Sequence, residues 1–450
     1  MSDDGLFEEL PEARKPEEAR KPETGAAAGR PRLREPQRDQ IELRAVDLDS
    51  LLGSEHPARV IWSYVERLDL SDLEAAVKSR EGRPGHPAIS PRLQLALWLY
   101  AAKDGVGSAR ALARLCEQHD AYRWLCGGVS VNPHTLSDFR VGHGALLDRL
   151  LTENVAALIA AGVIDLRSLA QDGIRIRASA GAGSFRRRAR LKEHLAAAQN
   201  LVAQLKSEVD ADPAASSKRA AKARERATRE REARVEAALR KLDEVEAQRQ
   251  RRRETTGKNE KKKEPRASTT DPDARVMKMA DGGFRPAYNV QVISATGTPI
   301  VVDVQPATNG SDRALLRPGL ERLQHRLGRL PERYLADGGY TAANAIEWAH
   351  SQSVEVYCAP SNSKHGTDPY APREEDGPGV EVWRKRMGSE AGKAIYKQRP
   401  ISECIHGQWR NSKLWQFTVR GVEKVTAAML FYALSTNILH GHRMTKPDAA

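Results

Sequence analysis

The sequence predicts an α/β protein: a mixed sheet with helices, interrupted by a basic helical-hairpin insertion and preceded by an all-α domain. Three observations carry this. Apolar positions recur at helical spacing up to about residue 162, after which strand-like alternation begins and then trades places with helical patterns. A segment at 186–266 breaks into that alternation with no aromatic residue and a large excess of Lys and Arg.

The chain has 450 residues, 72 Lys and Arg against 60 Asp and Glu, and a formal net charge of +12. That length fits two or three domains with a substantial core. No run approaches the roughly 18 apolar residues that a membrane-crossing helix needs, so no membrane partner is expected. The opening MSDDGLFEELPEARK is acidic and broken by Pro11, unlike a signal or transit peptide. Cys116, Cys126, Cys358 and Cys404 are scattered, with no C-x-x-C pair, which argues against a disulfide framework or a zinc ribbon and for a reducing cytoplasm.

Residues 1–40 hold five prolines, one aromatic (Phe7), 8 basic and 10 acidic residues. Such a segment buries too little apolar surface to offset its ordering entropy and is expected to be a disordered tail. Residues 41–162 read as the all-α domain. Its helical sets are Ile61, Trp62, Val65 and Leu68, then Leu93, Leu97 and Tyr100, then Leu112, Leu115 and Cys116. Ser90-Pro91 and Asn132-Pro133 are helix openings, and a long amphipathic helix over about 146–161 closes at Gly162. The short polar helix bearing Thr135, Ser137, Asp138 and Arg140 fits either a DNA-reading helix-turn-helix or a bundle with polar outward faces.

From Val163 the pattern is that of strands, over 163–166 and again over 169–177. Ala170, Asp172, Ile174 and Ile176 share one parity, so Asp172 is a carboxylate among inward-facing residues, where it needs a partner or a cation. The 186–266 insertion follows. Leu191, Leu195, Val202, Leu205 and Val209 form one apolar stripe; Val235, Leu239, Leu242 and Val245 form another beyond a break at Asp210, Asp212 and Pro213. An antiparallel helical hairpin fits best. It holds 25 Lys and Arg against 14 Asp and Glu, a net of +11, so nearly all the excess charge of the chain sits here. Lys261, Lys262 and Lys263 add to that charge.

Strands over 285–293 and 299–304 make a hairpin. A helix over about 311–329 begins at Ser311-Asp312, and a strand over 333–336 ends at Asp337-Gly338-Gly339-Tyr340. A helix over 342–352 and a strand over 354–358 come next. The 360–390 stretch reads as polar loop, and a last helical region runs from about 400 to 439. The sheet domain is thus expected over 163–440, with 441–450 a tail.

Asp172-Gly173 and Asp337-Gly338-Gly339 can each be plain turn chemistry. Arg399 and Glu403, four apart with Arg410 seven further on, can be an exposed salt-bridged helix face. His440-x-His442 lacks a cysteine or carboxylate at ligand spacing and reads as surface, and no G-x-x-x-x-G-K-[ST] phosphate loop occurs.

Taken together, Asp172-Gly173, the Ala336–Tyr340 block and the spacing Tyr396-x2-Arg399-x3-Glu403-x6-Arg410 resemble the DDE transposases of bacterial insertion sequences, in the subgroup with a Tyr-x2-Arg-x3-Glu-x6-Lys signature. The resemblance covers roughly residues 45–440. It implies an RNase H-like catalytic domain, with Asp172, Asp337 and Glu403 as catalytic residues that bind two Mg²⁺ ions, for which Mn²⁺ can substitute. It further implies double-stranded DNA as partner, both element ends and target, cleaved at the ends and joined to the target by a cytoplasmic, nucleoid-associated homodimer. Tyr396, Arg399 and Arg410 would contact DNA. The family's usual Lys is replaced by Arg410, a planar fork in place of a point charge, with Lys413 nearby. A nuclease of this fold that cuts without joining, and a non-catalytic basic DNA-binding protein, are the alternatives.

Overall fold

The computed structural model describes residues 45, 47–82, 86–211, 215–256, 264–360 and 368–445. The expected tail at 1–40, the hairpin turn at Asp212-Pro213, Lys261–Lys263 and the end of the chain beyond 445 lie outside the described residues.

Seven helices come first: α1 (Pro57–Glu66), α2 (Ser71–Ala76), α3 (Pro91–Asp104), α4 (Ala109–Gln118), α5 (Asp120–Cys126), α6 (Pro133–Gly142) and α7 (Gly144–Ala160). The caps agree with the sequence: Pro91 and Pro133 open their helices, and Asn132 accepts from the His134 amide at 2.8 Å. Arg140 is not a free reader of bases. It is buried, donates to the Gly107 carbonyl and to Thr418 Oγ1, and lies 4.6 Å over the Trp98 ring. Residues 163–166 form a loop, and β1 begins only at Ser168.

The remainder runs β1 (Ser168–Arg177), β2 (Phe185–Arg186), α8 (Arg188–Ala211), α9 (Ala215–Thr256), β3 (Ala267–Ser268), β4 (Arg275–Lys278), β5 (Phe284–Ala295) and β6 (Val301–Ala307). Then come α10 (Leu316–Leu327), β7 (Arg333–Ala336), α11 (Ala343–Ser351), β8 (Glu355–Tyr357), α12 (Pro378–Gly388), α13 (Glu390–Tyr396), α14 (Ile401–Asn411) and α15 (Val422–Thr445). The main sheet has the order β6-β5-β1-β7-β8. It is antiparallel from β6 to β1 and parallel from β1 to β8, and β4 pairs with the first residues of β5. This is the mixed sheet the sequence predicted, in the RNase H-like arrangement.

Both faces of the sheet are covered. One parity of β1, Ala170, Ile174 and Ile176, is apolar and buried. The other carries Gln171, which has no exposure and joins a polar chain: Tyr334 Oη donates to Gln171 Oε1 at 2.7 Å, and Gln171 Nε2 donates to Gln291 Oε1 at 2.7 Å. α10 reaches this face through Gly319, where a Cβ would stand 2.7 Å from Gln171 Oε1. A single hydrophobic cluster runs from α1 through the sheet to α15, which lies against α3, α7 and β6. α15 is one helix to Thr445, past the expected end near 439. Its first turn is capped from afar, with Asp273 Oδ2 accepting the Val422 amide at 3.0 Å.

One segment departs from the sequence reading. The 360–390 stretch contains α12, opened by Gly377-Pro378 and clamped by a buried ion pair, Arg384 Nε to Asp376 Oδ2 at 2.6 Å. The basic hairpin forms as expected, with its apolar stripes facing each other: Leu191, Val235, Ala238 and Leu242 are buried between α8 and α9. These residues hold the two helices together. Lys241 Nζ, 3.4 Å from Asp273, ties α9 to the body.

Candidate active site

The parallel register pairs Gln171 of β1 with Ala336 of β7, the last matched residues of the two strands. The next residue on each strand is an aspartate, so Asp172 and Asp337 leave the paired zone side by side. Asp172 lies in the middle of β1 by residue number, yet at the end of its parallel pairing, which is where ligands bind in such sheets. Asp337 Oδ1 accepts the Gly339 amide at 2.7 Å and caps the short 3₁₀ turn Gly338–Tyr340. The Asp-Gly-Gly block is therefore a turn and a strand-end carboxylate at once.

The Asp172 side chain is 15% exposed, and its Oδ1 accepts the Gly173 amide at 2.8 Å. Its Oδ2 faces α14, with His406 Nδ1 at 3.6 Å and Arg399 Nη1 at 3.9 Å. Burial pushes the carboxyl up to about 6; the Gly173 amide and Arg399 oppose this, while the charges of Asp337 and Glu403 add to it. Two other acids therefore act electrostatically on this buried one.

Glu403 stands in the first turn of α14 with its side chain 56% exposed, and its Oε1 accepts from Arg399 Nη2 at 2.7 Å. The expected single helix through Arg399, Glu403 and Arg410 is interrupted: Pro400 is the cap of α14, and Arg399 sits in the turn between α13 and α14. The Arg399–Glu403 contact survives because that turn is itself tight, the Glu403 amide donating to Pro400 O at 2.9 Å. Tyr396 ends α13 half-buried, with the Arg399 guanidinium 6.0 Å from its ring centroid.

Asp172, Asp337 and Arg410 line one open cleft of about 630 Å³, beside Asp312, Arg175, Arg177 and Trp415. Lys413 is not brought there. It has a left-handed backbone (φ 57°) and lines a separate cavity with Trp98, Arg140 and Thr418.

Sequence reasoning passed over several of these residues. Asp312 was a helix-start residue; in the structure its Oδ1 accepts from Asn289 Nδ2 at 2.6 Å and Gln291 Nε2 at 3.0 Å, fixing it beneath β1. Gly173 leaves room for this, since a Cβ there would meet Asn289 Oδ1 at 2.7 Å and Asp312 Oδ1 at 2.9 Å. His406, three residues after Glu403 on α14, is held neutral by burial, which lowers it to about 3, and its Nε2 has no hydrogen-bond partner. Its helical spacing from Glu403 was the available signal. Arg175, Arg177 and Trp415, the last 59% exposed, carried none.

Among the described residues, no group of three or more His, Cys, Asp or Glu side chains is close enough to hold a metal ion. The donor chemistry nonetheless suits a hard divalent cation: Asp172 and Asp337 line the cleft, Glu403 lies outside that lining but adds to the upward shift that burial gives Asp172, and a guanidinium is the nearest positive charge.

The fold is thus an RNase H-like sheet with aspartates at the matched ends of β1 and β7. The family model described as Transposase DDE domain matches residues 256–438, which include Asp337 and Glu403, and the Transposase domain (DUF772) matches residues 46–141. Together the two matches indicate a DDE transposase of an insertion sequence, a class of protein that acts on DNA. Asp172 lies between the two matched spans. Members of this family generally use divalent metal ions. No curated protein and no solved structure matches the chain. Among the described residues no helix is long and apolar enough to cross a membrane.

Proposed function

We propose that the protein cuts DNA at the ends of an insertion sequence and transfers the freed strands into target DNA. The observation that carries this reading is the strand register that sets Asp172 beside Asp337, with Glu403 close enough to raise Asp172. Asp172, Asp337 and Glu403 would hold two Mg²⁺, or Mn²⁺ in their place. Such ions supply Lewis-acid stabilisation to the attacking and leaving oxygens at phosphorus.

The rest falls to the chain itself. Arg177 and Arg410 line the cleft, and their side chains make no ion pair among the described residues, so they are available to strand phosphates. Arg399, seated over Tyr396, keeps Glu403 oriented beside the cleft. α14 excludes water from the inner side of Asp172 by packing the neutral His406 against it. The helices of 41–162 and the basic hairpin add contacts to the DNA on either side, and the family's habit of acting on paired ends makes a homodimer at the nucleoid the working assembly.

The test uses the full-length protein and a plasmid carrying the DNA that flanks its gene on both sides. Wild type should nick and join these ends with Mg²⁺ and be silent in EDTA. Asp172→Asn, Asp337→Asn and Glu403→Gln should each reduce cleavage to background while duplex binding persists. Cleavage that survives Asp337→Ala overturns the assignment; cleavage without joining identifies a nuclease.

A further inference from the structure

The hairpin's charge is concentrated by the fold at one concave place. β2 and β3 pair antiparallel at the hairpin root, with Phe185 opposite Ser268 and Arg186 opposite Ala267, so Arg266, the residue before β3, adjoins the Arg186–Ala267 pair. Arg187, just before α8, and Arg190 and His194 on its first turns follow at one-face spacing. Phe185, Arg186, Arg187, Arg190, His194 and Arg266 together line a cavity of about 510 Å³.

Four guanidinium groups sharing one cavity repel one another unless anions meet them. Two are met: Arg187 Nε lies 3.3 Å from Glu264 and Arg190 Nη1 2.7 Å from Glu193. The side chains of Arg186 and Arg266 have no ion pair or hydrogen bond among the described residues. Arg186 ends β2, Arg266 immediately precedes β3, and Arg266 is exposed. Two arginines of the hairpin shaft are different. Arg229 pairs with Glu225 at 2.5 Å and Arg234 with Glu230 at 3.8 Å, each along a single convex helix.

From this we infer that the hairpin root, centred on Arg186 and Arg266, is a phosphate-backbone site for duplex DNA flanking the cleavage cleft. The inference rests on the transposase reading and gives one of its DNA contacts a definite address. The partner chemistry follows from the lining: planar, permanently charged forks suit the paired oxygens of a phosphodiester, and the cavity offers no further carboxylate to a cation. The location agrees. β1 runs from Asp172 to Arg177 at the cleft, and Phe185 is eight residues further on, at most about 29 Å along an extended chain, or eight to nine base pairs of duplex. That connecting segment is pinned to the body, with Gln416 donating to Ala178 O at 3.0 Å and Arg420 to Ser179 O at 3.1 Å. The root is thus held at a set reach from the carboxylates, which a free arm would not be.

The experiment measures binding of the full-length protein to a fluorescein-labelled duplex of arbitrary sequence, in EDTA, across a salt series. Each phosphate contact contributes about −0.9 to the slope of log K against log salt. The double variant Arg186→Gln/Arg266→Gln should lose about 1.8 units of slope, the single variant Arg266→Gln about half of that. Arg186→Lys/Arg266→Lys should restore most of the slope, and the shaft control Arg229→Gln/Arg234→Gln should keep it. A root variant with wild-type slope, or a control that falls as far as the root variant, overturns the inference. Should the double variant not fold, the exposed single site Arg266 decides alone, on the same criterion. Cleavage is not read in this assay, so a protein that binds through its root yet cuts nothing refutes the proposed function and leaves this inference standing.

Discussion

Arg399 grips Glu403 across four residues at 2.7 Å, with its second nitrogen 3.9 Å from Asp172. The guanidinium thus stands between two of the three acids, where a divalent cation would otherwise balance them. Glu403 is half-exposed, and exposed pairs of this kind contribute under about 1 kcal/mol. Competition between Arg399 and a metal is therefore weak. We expect Arg399→Gln to tighten Mg²⁺ binding by no more than about fivefold in calorimetry. Cleavage should fall further than that gain, because Arg399 also orients Glu403. A tenfold or larger gain in metal affinity would mean that Arg399 is a true lock on the site.

The buried carboxyl of Asp172 gives a pH signature. Its ordinary value is 3.8 and burial in the folded protein raises it to about 6. Ionising it therefore opposes folding. The penalty is absent below pH 4, grows between pH 4 and 6 while the unfolded chain ionises first, and is constant above. A shift of this size corresponds to roughly 3 kcal/mol at neutral pH. In EDTA, Asp172→Asn should melt a few degrees above wild type at pH 7.5 and together with it at pH 4. Saturating Mg²⁺ should erase the difference at pH 7.5 by stabilising wild type alone. Equal melting at all pH values would show that the acid carries no such strain.

Gly173 follows the catalytic aspartate for a reason of space. A Cβ there would lie within 2.9 Å of side-chain atoms of Asn289, Gln291 and Asp312, the two amides both donating to the Asp312 carboxylate. Gly173→Ala must push this network off the strand. Overpacking of this kind costs about 1–3 kcal/mol. Denaturant titration should show that loss, and Asp312→Ala in the same chain should return part of it by clearing the space. If Gly173→Ala is neutral, the network is looser than its distances imply.

Much of the frame was legible because it depends on local pattern. The parity of Ala170, Asp172, Ile174 and Ile176, the hairpin of β5 and β6, and the Asp337 turn each follow from residues within one element. What escaped depends on partners far apart in the chain. Gln171 looks like a surface residue, and only its bonds to Gln291 and Tyr334, 120 and 163 positions away, explain its burial. Asp312 serves as an apparent helix start, while its actual partners lie on β5. β4 was missed because four residues with two charges, Arg275 to Lys278, carry no readable period. The Arg399–Glu403 spacing was read correctly as a contact but wrongly as one continuous helix, since the cap formed by Pro400 is a local choice that spacing does not reveal.

Helical region and sheet are joined by a buried acid, and this gives the last prediction. Asp303 of β6 is 1% exposed and meets two arginines of α10, Arg322 Nη2 at 2.8 Å and Arg326 Nη2 at 3.1 Å. Arg326 continues to α7, donating to Thr152 Oγ1 at 2.8 Å and pairing with Asp148. Three elements therefore meet on one carboxylate. Removing one partner from a buried pair leaves an uncompensated charge and costs about 3–5 kcal/mol, whereas replacing the whole cluster by apolar groups can be neutral. Asp303→Ala should accordingly destabilise by that amount, read as a lower denaturation midpoint. Asp148→Ala, at the exposed end of the chain of contacts, should cost under about 1 kcal/mol. The triple change Asp303→Leu/Arg322→Leu/Arg326→Met should recover most of the loss. A mild Asp303→Ala phenotype would mean that water enters and solvates the arginines, and that the two regions are held by the shared apolar core through α15 rather than by this charge cluster.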